Sequence, residues 1–209
     1  AAIKNGSYGK LMKAYYAKQD AEKLSGKGDT SQKLTLMKTS ADSLKKSADA
    51  LNDSSLWEKK KIKKKDEKTG EEIEVEDYDW DKITKAVKSF VEDYNDVVKE
   101  AGESNTKDVL LNASWMTGMT DKNSNMLAKI GITIGKGNKL ELDEDALKQA
   151  DISSLKTVFT GYNSFVSKIS QKATGISNAA NRASATYTNN GTYSKTDSSL
   201  TSSKIDKEV

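Results

Sequence analysis

Apolar residues recur along this chain at helical spacing in several long stretches. Between about residues 31 and 52 they stand three and four positions apart, at Leu34, Met37, Ala41, Leu44, Ala48 and Leu51. Such spacing places side chains on one side of a helix. The stretch therefore predicts an amphipathic helix with a heptad pattern over about two and a half repeats.

The cleanest stripe predicts a helix that begins near Asp79, a suitable N-cap, and stops near Gly102. A last long helix is predicted from about Ser153 to Asn181. In both, aromatic and aliphatic residues follow the same spacing, which is typical of packing between helices. The residues expected to form the packing and assembly seam are Trp80, Ile83, Val87, Phe90, Val91, Tyr94, Leu155, Phe159, Tyr162 and Phe165.

Two segments predict β-hairpins. Over 57–78, a basic run at Lys59–Lys65 precedes an acidic run at Glu71–Asp77, with Gly70 in the connecting loop. Folding back there sets lysines opposite glutamates, each pair worth about 0.2–1 kcal/mol. Its few apolar anchors are Trp57, Ile62, Ile73 and Val75. A second hairpin is predicted over 132–142, from Ile132–Ile134 and Lys139–Leu142 around a glycine-containing turn.

The remaining segments are shorter or less regular. A first helix is predicted from Tyr8 to Leu24, and Asp143 caps a short helix to about Ala150. Residues 106–130 predict a short helix around Val109–Met116, a loop, and a further helical turn at Met126–Ile130. Residues 182–209 lose the apolar spacing and fill with Ser, Thr, Asn and Lys, which predicts a weakly ordered tail.

These helices can bury their stripes only against each other or against a partner. Lateral packing with short connections predicts a mainly α fold, an elongated antiparallel helical bundle or coiled coil with small β-hairpins. Residues 1–181 are expected to form this bundle, with a hairpin insertion at 57–78 and the second hairpin at 132–142. One stripe can also serve self-assembly, and the sequence leaves open which one faces outward.

Composition excludes several kinds of chemistry. The 209 residues include no His and no Cys, so thiolate nucleophiles, disulfides, imidazole bases and the common transition-metal ligands are missing. Only 35% of residues are apolar and 31% are charged, as expected for narrow seams instead of one thick core. No apolar run approaches the roughly 18 residues of a membrane span. We expect no catalytic, cofactor or metal site, no small-molecule substrate and no membrane insertion.

Charge and the remaining motifs favour structural roles. The 34 basic and 31 acidic residues nearly balance, and the acidic run neutralises the lysine run, which disfavours nucleic-acid binding. The segment Gly131–Gly137 has three residues between its first two glycines, where a phosphate loop needs four. Asp121–Asn125 opens like a calcium loop, but the required Gly falls on Met126 and the required Glu on Ile132. Paired acids such as Glu92 and Asp93 lie on polar helix faces.

Two stretches resemble a known family. The segment Phe90-Val91-Glu92-Asp93-Tyr94-Asn95 resembles the FV-x-x-YN segment of the bacterial flagellar filament-capping protein, hook-associated protein 2. Further on, Leu127-Ala128-Lys129-Ile130-Gly131-Ile132-Thr133 is similar to that family's L-x-x-IGI-T order. It continues with Leu140-Glu141-Leu142-Asp143 and then with Val158-Phe159. The resemblance spans about residues 80–175.

The resemblance implies a secreted structural subunit that assembles at the distal end of the flagellum and helps flagellin polymerise. Such a protein has no catalytic residues, and its partners are further copies of itself, flagellin or hook-type subunits. It implies an extracellular location, on the flagellum or the cell surface. Family members are usually longer, with terminal coiled coils and large β-rich domains. This chain is therefore expected to be a trimmed or reduced relative.

A second hypothesis is a secreted or surface-associated helical binding module unrelated to motility, as in cell adhesion. Its contact would be the exposed first hairpin, with the lysine-rich strand and Trp57 as anchor. A third, an enzyme with carboxylate chemistry, requires an enclosed acidic cleft.

Overall fold

A computed structural model describes residues 16–17, 28–65 and 70–185. The predicted helix at 8–24 lies outside these residues, apart from Tyr16 and Ala17, which are helical, and so does the predicted tail from residue 186 onward. The fold is mainly α with two small antiparallel hairpins, which confirms the predicted class. The helices are α1 (Ser31–Asn52), α2 (Trp80–Glu103), α3 (Lys107–Lys122), α4 (Ser124–Ala128), α5 (Glu144–Gln149), α6 (Ile152–Phe159) and α7 (Phe165–Ala185). The strands are β1 (Lys60–Lys65), β2 (Glu72–Asp77), β3 (Ile132–Ile134) and β4 (Leu140–Leu142), and short 3-10 helices occupy Ser54–Trp57 and Lys136–Asn138.

Helices α1, α2, α3 and α7 form an antiparallel bundle, in which α7 packs along both α1 and α3. The direction of α7 against α1 follows from two hydrogen bonds one heptad apart. The Ser170 hydroxyl donates to Asp49 over 2.6 Å, and the Ser177 hydroxyl donates to Asp42, also over 2.6 Å. Because the numbers fall along α1 as they rise along α7, the two helices run in opposite directions.

Asp29 fixes one end of the bundle, where α1 begins and where α2 is followed by α3. Its carboxylate accepts hydrogen bonds from the Ser104 and Thr106 hydroxyls at 2.6 and 2.7 Å, and from the Asn105 and Thr106 amides at 2.9 Å. The side chain is only 6% exposed. Burial raises the pKa of Asp29, but these hydrogen bonds lower it more, so that its pKa lies below the usual value. This one carboxylate therefore ties the start of α1 to the α2–α3 turn.

An aromatic cluster occupies the other half of the core. The Phe90 ring meets Phe159 and Phe165 edge-on, with centroids 6.5 and 6.3 Å apart, and lies 6.3 Å from the Tyr94 ring. The Trp57 ring stacks on Phe159 at 5.5 Å. Such pairs add about 0.5–1.5 kcal/mol each beyond the burial of their area. The cluster thereby joins α2, α6 and α7 to the segment that follows α1.

Trp57 belongs to this core and not to the first hairpin, so its predicted role as a hairpin anchor is wrong. It is 1% exposed, and its indole N–H donates to the Leu51 carbonyl over 2.8 Å. The cause is local: the Asp53 carboxylate accepts the Ser55 amide at 2.9 Å and starts a 3-10 turn directly after α1. That turn directs the indole back under the bundle, and the hairpin begins beyond it at Lys60.

The prediction of one helix from Ser153 to Asn181 is also wrong, because α6 ends at Phe159 and a turn precedes α7. Gly161 takes φ +101°, a conformation that a helix cannot contain, and its N–H donates to the Asn52 side chain over 2.8 Å. Tyr162, predicted to lie in the seam, projects from this turn and is 83% exposed. The break lets α6 and α7 approach the core from different directions.

The short helix predicted around Val109–Met116 is longer than expected. It runs over Lys107–Lys122 and includes Gly118, where the sequence predicted the start of a loop. Its buried side is partly polar: the Thr117 hydroxyl donates to the Ala113 carbonyl, and the Thr120 hydroxyl to the preceding turn, over 3.1 and 3.0 Å. Because these groups are satisfied within the helix, they can face the core without apolar spacing.

Truncating Phe90 tests the core. Phe90→Ala is expected to lower the free energy of unfolding by about 3–5 kcal/mol, because the ring is fully buried against three others. Tyr162→Ala, which removes an aromatic ring of similar size from the exposed turn, is expected to change it by less than about 0.5 kcal/mol. Urea denaturation followed by circular dichroism measures both. Equal losses for the two variants would contradict the assigned core.

Removing the charge of Asp29 tests its hydrogen bonds to the α2–α3 turn. Asp29→Asn is expected to cost about 2–3 kcal/mol at neutral pH, because an amide nitrogen then faces hydrogen-bond donors. Since the folded-state pKa is lowered, the stabilisation is present above the unfolded value of about 3.9 and is lost as pH falls through the folded value. Urea titrations at pH 7, 5 and 3 should show that the difference in free energy of unfolding between wild type and variant becomes smaller only at pH 3. Asp145→Asn, at an exposed position, is the control.

Candidate assembly surface

The predicted seam residues come together inside the single chain. Most of them are buried in one continuous core: Ile83, Val87, Phe90, Val91, Tyr94, Leu155, Phe159 and Phe165. Trp80 is partly buried against that core, and Tyr162 is exposed. Since these stripes already cover each other, a contact with another molecule has to use different residues.

Large apolar side chains that remain exposed in the described part of the chain are scattered. They are Tyr16, Leu36, Ile73, Trp115 and Tyr162. Trp115, on the outer side of α3, is covered in part by the Lys172 ammonium group, 4.2 Å from the ring centroid. An open groove of about 490 Å³ runs beside it along α3, past Gly118, Met119, Asp121 and Lys122. Single exposed side chains of this kind are normal on a protein surface.

The first hairpin is the most distinctive exposed feature. Strands β1 and β2 are antiparallel, and their register pairs Lys61 with Glu76, Lys63 with Glu74, and Lys65 with Glu72. Opposite charges thus face each other across the strands, as the sequence predicts. The Lys63 ammonium also lies 3.7 Å from the Glu72 carboxylate, and both side chains are well exposed, so each such pair is worth at most about 1 kcal/mol.

The two faces of this hairpin differ. Because side chains alternate along a strand, these lysines and glutamates share one face, which is entirely ionic. The opposite face is mixed: Ile62 is paired with Val75 at its centre, Lys64 with Ile73 on one side and Lys60 with Asp77 on the other. Ile62 and Val75 are half-buried and Ile73 is 40% exposed. A two-stranded ribbon of this kind is only marginally stable by itself.

Tyr162 lies at the same end of the bundle as this hairpin. The Gly161–Asn52 hydrogen bond places the α6–α7 turn beside the C-terminus of α1, and the chain enters β1 only eight positions after Asn52. The exposed aromatic ring and the charged ribbon therefore mark one end of the molecule. We call this end, comprising residues 160–164, 60–65 and 70–77, the hairpin end.

The described residues contain no group of three or more acidic side chains placed to hold a metal ion. None of their helices is long and apolar enough to cross a bilayer.

Asp93 lies in an open groove of about 380 Å³ between α1 and α2. Burial raises its pKa above the usual value, and Asp96 and Glu92 act in the same direction, against a hydrogen bond from Ser47. The groove is open to solvent, whereas the enzyme hypothesis calls for an enclosed acidic cleft.

Residues 110–208 match the family model described as the flagellar hook-associated protein 2 C-terminus. The match covers somewhat under half of the chain, and over these residues the chain is similar to that C-terminal region. This confirms the resemblance predicted from the sequence. The family is one of structural flagellar proteins, and it implies an extracellular location associated with the filament. The comparisons with curated proteins and with solved structures gave no match.

The matched region begins inside α3, so the segment Phe90–Asn95 lies before it, on α2. Two residues of that segment nevertheless contact the matched part of the chain. Burial raises the pKa of Tyr94, so that its hydroxyl stays protonated, and it donates to the Thr120 hydroxyl over 2.9 Å. Asn95 accepts the Leu140 amide at 2.7 Å and donates to the Leu140 carbonyl at 2.9 Å. The side chain thus replaces a neighbouring strand for β4.

Gly131 closes the second hairpin within the matched region. It takes φ +81°, and a Cβ atom there would lie 2.6 Å from the Asp143 carbonyl oxygen and 2.9 Å from the Leu147 nitrogen. The Asp143 amide donates to the Gly131 carbonyl over 2.8 Å, which brings α5 against the start of β3. Ile130 and Ile132, on either side, are fully buried. The Ile-Gly-Ile part of the family pattern is therefore a turn that only glycine fits.

Replacing Asn95 tests the link between α2 and the matched region. Asn95→Ala removes two hydrogen bonds and should cost about 2 kcal/mol, while the Leu140 amide becomes accessible to solvent. Hydrogen exchange followed by NMR should show loss of protection at Leu140. Asn95→Asp keeps an acceptor for that amide and should preserve more of its protection. Unchanged exchange in the alanine variant would contradict this role.

Proposed function

We propose that this chain is a subunit of a flagellar cap-type structure that contacts further copies of itself, or filament subunits of flagellin or hook type. The observation that carries the proposal is the match of residues 110–208 to the hook-associated protein 2 C-terminus. In this proposal the protein is secreted and acts outside the cell at the distal end of a filament. Its role is mechanical and structural.

The architecture supports such a role. Each of the helices α1–α7 contributes at least one residue to the core. Hydrogen bonds of Asp29 and of Asn52 connect the chain at the two ends of the bundle. A body of this kind keeps its shape when force is applied to its surface. A subunit that has to remain in place while others are added beside it needs that property.

The proposed contacts lie on exposed residues and not on the seams. Sequence reasoning left open whether one stripe serves assembly, and the stripes are covered within the chain. The hairpin end combines an aromatic ring that is 83% exposed, at Tyr162, with a charged ribbon. Exposed aromatic side chains are enriched at sites of protein–protein contact. The hairpin end is therefore the surface that we assign to assembly.

Localisation in the source organism tests the function. Antibodies against this chain should label the distal ends of filaments in electron micrographs, and deletion of the gene should raise the amount of unassembled flagellin in the medium. The wild-type gene should reverse both effects. Tyr162→Ala is expected to restore assembly less well than wild type, whereas Leu36→Ala, an exposed apolar residue within α1, should restore it fully.

Two results would overturn the proposal. If deletion left filament assembly unchanged, the chain would not act as a cap. If the antibodies labelled the surfaces of cells without filaments, the second hypothesis, a surface-associated binding module, would explain the exposed hairpin better.

A further inference from the structure

We infer that the first hairpin pairs head-to-tail with the hairpin of a second copy, so that β1 of one molecule lies along β2 of the next. The inference deepens the proposed function, on which it rests, because it names one contact by which a cap-type subunit meets its own kind. Three observations on the hairpin support it: its strands have edges without a further described strand, its charges are separated by strand, and one face carries three apolar side chains.

Within the described part of the chain, neither edge of the hairpin is paired with a further strand. Among the described residues, β1 and β2 form a sheet of two strands, so each strand has a neighbour on one side only. Along the other side, backbone N–H and C=O groups point away from the hairpin and can accept a further strand. Each strand has six residues, which gives a ribbon about 20 Å long. The side chains of Lys61, Lys63, Glu72 and Glu74 are all exposed.

Charge is segregated by strand. Five of the six residues in β1 are lysines, and four of the six in β2 are acidic. A symmetric pair through two β1 edges would set lysine against lysine, and one through two β2 edges would set acid against acid. Pairing of β1 with β2 of another copy sets unlike charges opposite each other, as within the hairpin itself. The charges thus select a heterologous contact over a two-fold one.

Charged edge strands often protect a protein from unwanted sheet pairing. That protection depends on like charges meeting, and it operates here for the two symmetric arrangements. It does not operate for the head-to-tail arrangement, because each edge meets its electrostatic complement. A purely protective design would place the same sign of charge on both edges.

Three apolar side chains supply a further gain from association. Ile62 and Val75 are paired on the mixed face, and Ile73, 40% exposed, lies beside them opposite Lys64. A second hairpin added edge-to-edge would place its own Ile62, Ile73 and Val75 on a four-stranded sheet. A sheet of three or more strands can be stable where an isolated two-stranded hairpin is marginal.

The width of the bundle limits the assembly. Two strands advance a sheet by about 10 Å, whereas a bundle two helices wide measures about 20 Å. Successive copies cannot be related by simple translation, because their bundles would overlap. Each copy must rotate relative to the previous one, so the contact leads to a closed ring or to a helical array and not to an extended flat sheet.

Charge-altered hairpins of the full-length chain test the inference. The first variant carries Lys61→Glu, Lys63→Glu and Lys65→Glu, which makes the ionic face acidic on both strands and leaves Lys60 and Lys64 on the other face. The second carries Glu72→Lys, Glu74→Lys and Glu76→Lys, which makes the ionic face basic on both strands and leaves Asp77 on the other face. The control carries Lys129→Glu, Lys139→Glu and Lys148→Glu, exposed positions away from the hairpin, and has the same net charge as the first variant, +3 − 6 = −3. Sedimentation velocity gives the mass of each protein and circular dichroism its fold.

At low ionic strength the wild type and the control should sediment above the monomer mass and should dissociate as salt is added. Each hairpin variant alone should sediment at the monomer mass of 22.8 kDa. An equimolar mixture of the two should again exceed that mass, because every acidic edge then meets a basic one. The mixture keeps the test decisive even if like charges open the hairpin in either variant alone.

The inference is overturned if the wild type remains at 22.8 kDa at all concentrations, if the variants alone keep the wild-type mass, or if the mixture stays monomeric. These outcomes are separate from the fate of the proposed function. Filament-tip labelling together with unchanged association of the variants would leave the cap-type role standing and remove only this contact. If the antibodies did not label filament tips but the variants showed the expected masses, the contact between copies would stand and the cap-type role would not.

Discussion

The fold depends on the burial of one apolar stripe from each long helix in a single shared core. A stripe can be covered once, by the chain's own helices or by another molecule, and here the chain covers its own. Phe90 shows the result, since its ring contacts aromatic neighbours from α2, α6 and α7. Burial of this kind is the main term that opposes the entropy lost on ordering the chain. The described surface left for partners is consequently mostly polar, with single exposed apolar side chains such as Tyr162 and Trp115.

Hydrogen-bonded polar side chains fix the position of one helix along another, which the apolar stripes leave undetermined. Apolar packing alone tolerates small shifts of one helix along another, whereas a carboxylate or an amide held by several hydrogen bonds does not. Hydrogen bonds of Asp29 fix the start of α1 relative to the α2–α3 turn. Hydrogen bonds of Asn95 fix α2 relative to β4. The second tie connects helix α2, which precedes the matched family region, to a strand within it. The described part of the matched region, residues 110–185, therefore shares one core with the helices that precede it.

The sequence predicts the regular part of this structure well. Spacing of three and four identifies α1 and α2, and opposite charges around Gly70 identify the first hairpin and its facing residues. Prediction from the spacing of apolar residues is wrong where a specific hydrogen bond determines the backbone conformation. Gly161 breaks a periodic stripe because Asn52, distant in sequence, holds it in a left-handed conformation.

The same limit applies to the remaining errors. Asp53 turns Trp57 into the core, and threonine hydroxyls satisfied within α3 hide a helix that apolar spacing does not show. The candidate surface was visible in part, since the two charge runs can be read directly. The exposure of Tyr162 could not be predicted, because it follows from that distant bond.

The two serine–aspartate bonds between α1 and α7 have a mechanical consequence. They lie one heptad apart along helices that run in opposite directions, at Asp42–Ser177 and Asp49–Ser170. A pull along the long axis loads such a pair in shear, and bonds at two levels share that load instead of breaking one after another. In the proposed cap-type role, drag and torque on the filament would load the bundle in this way.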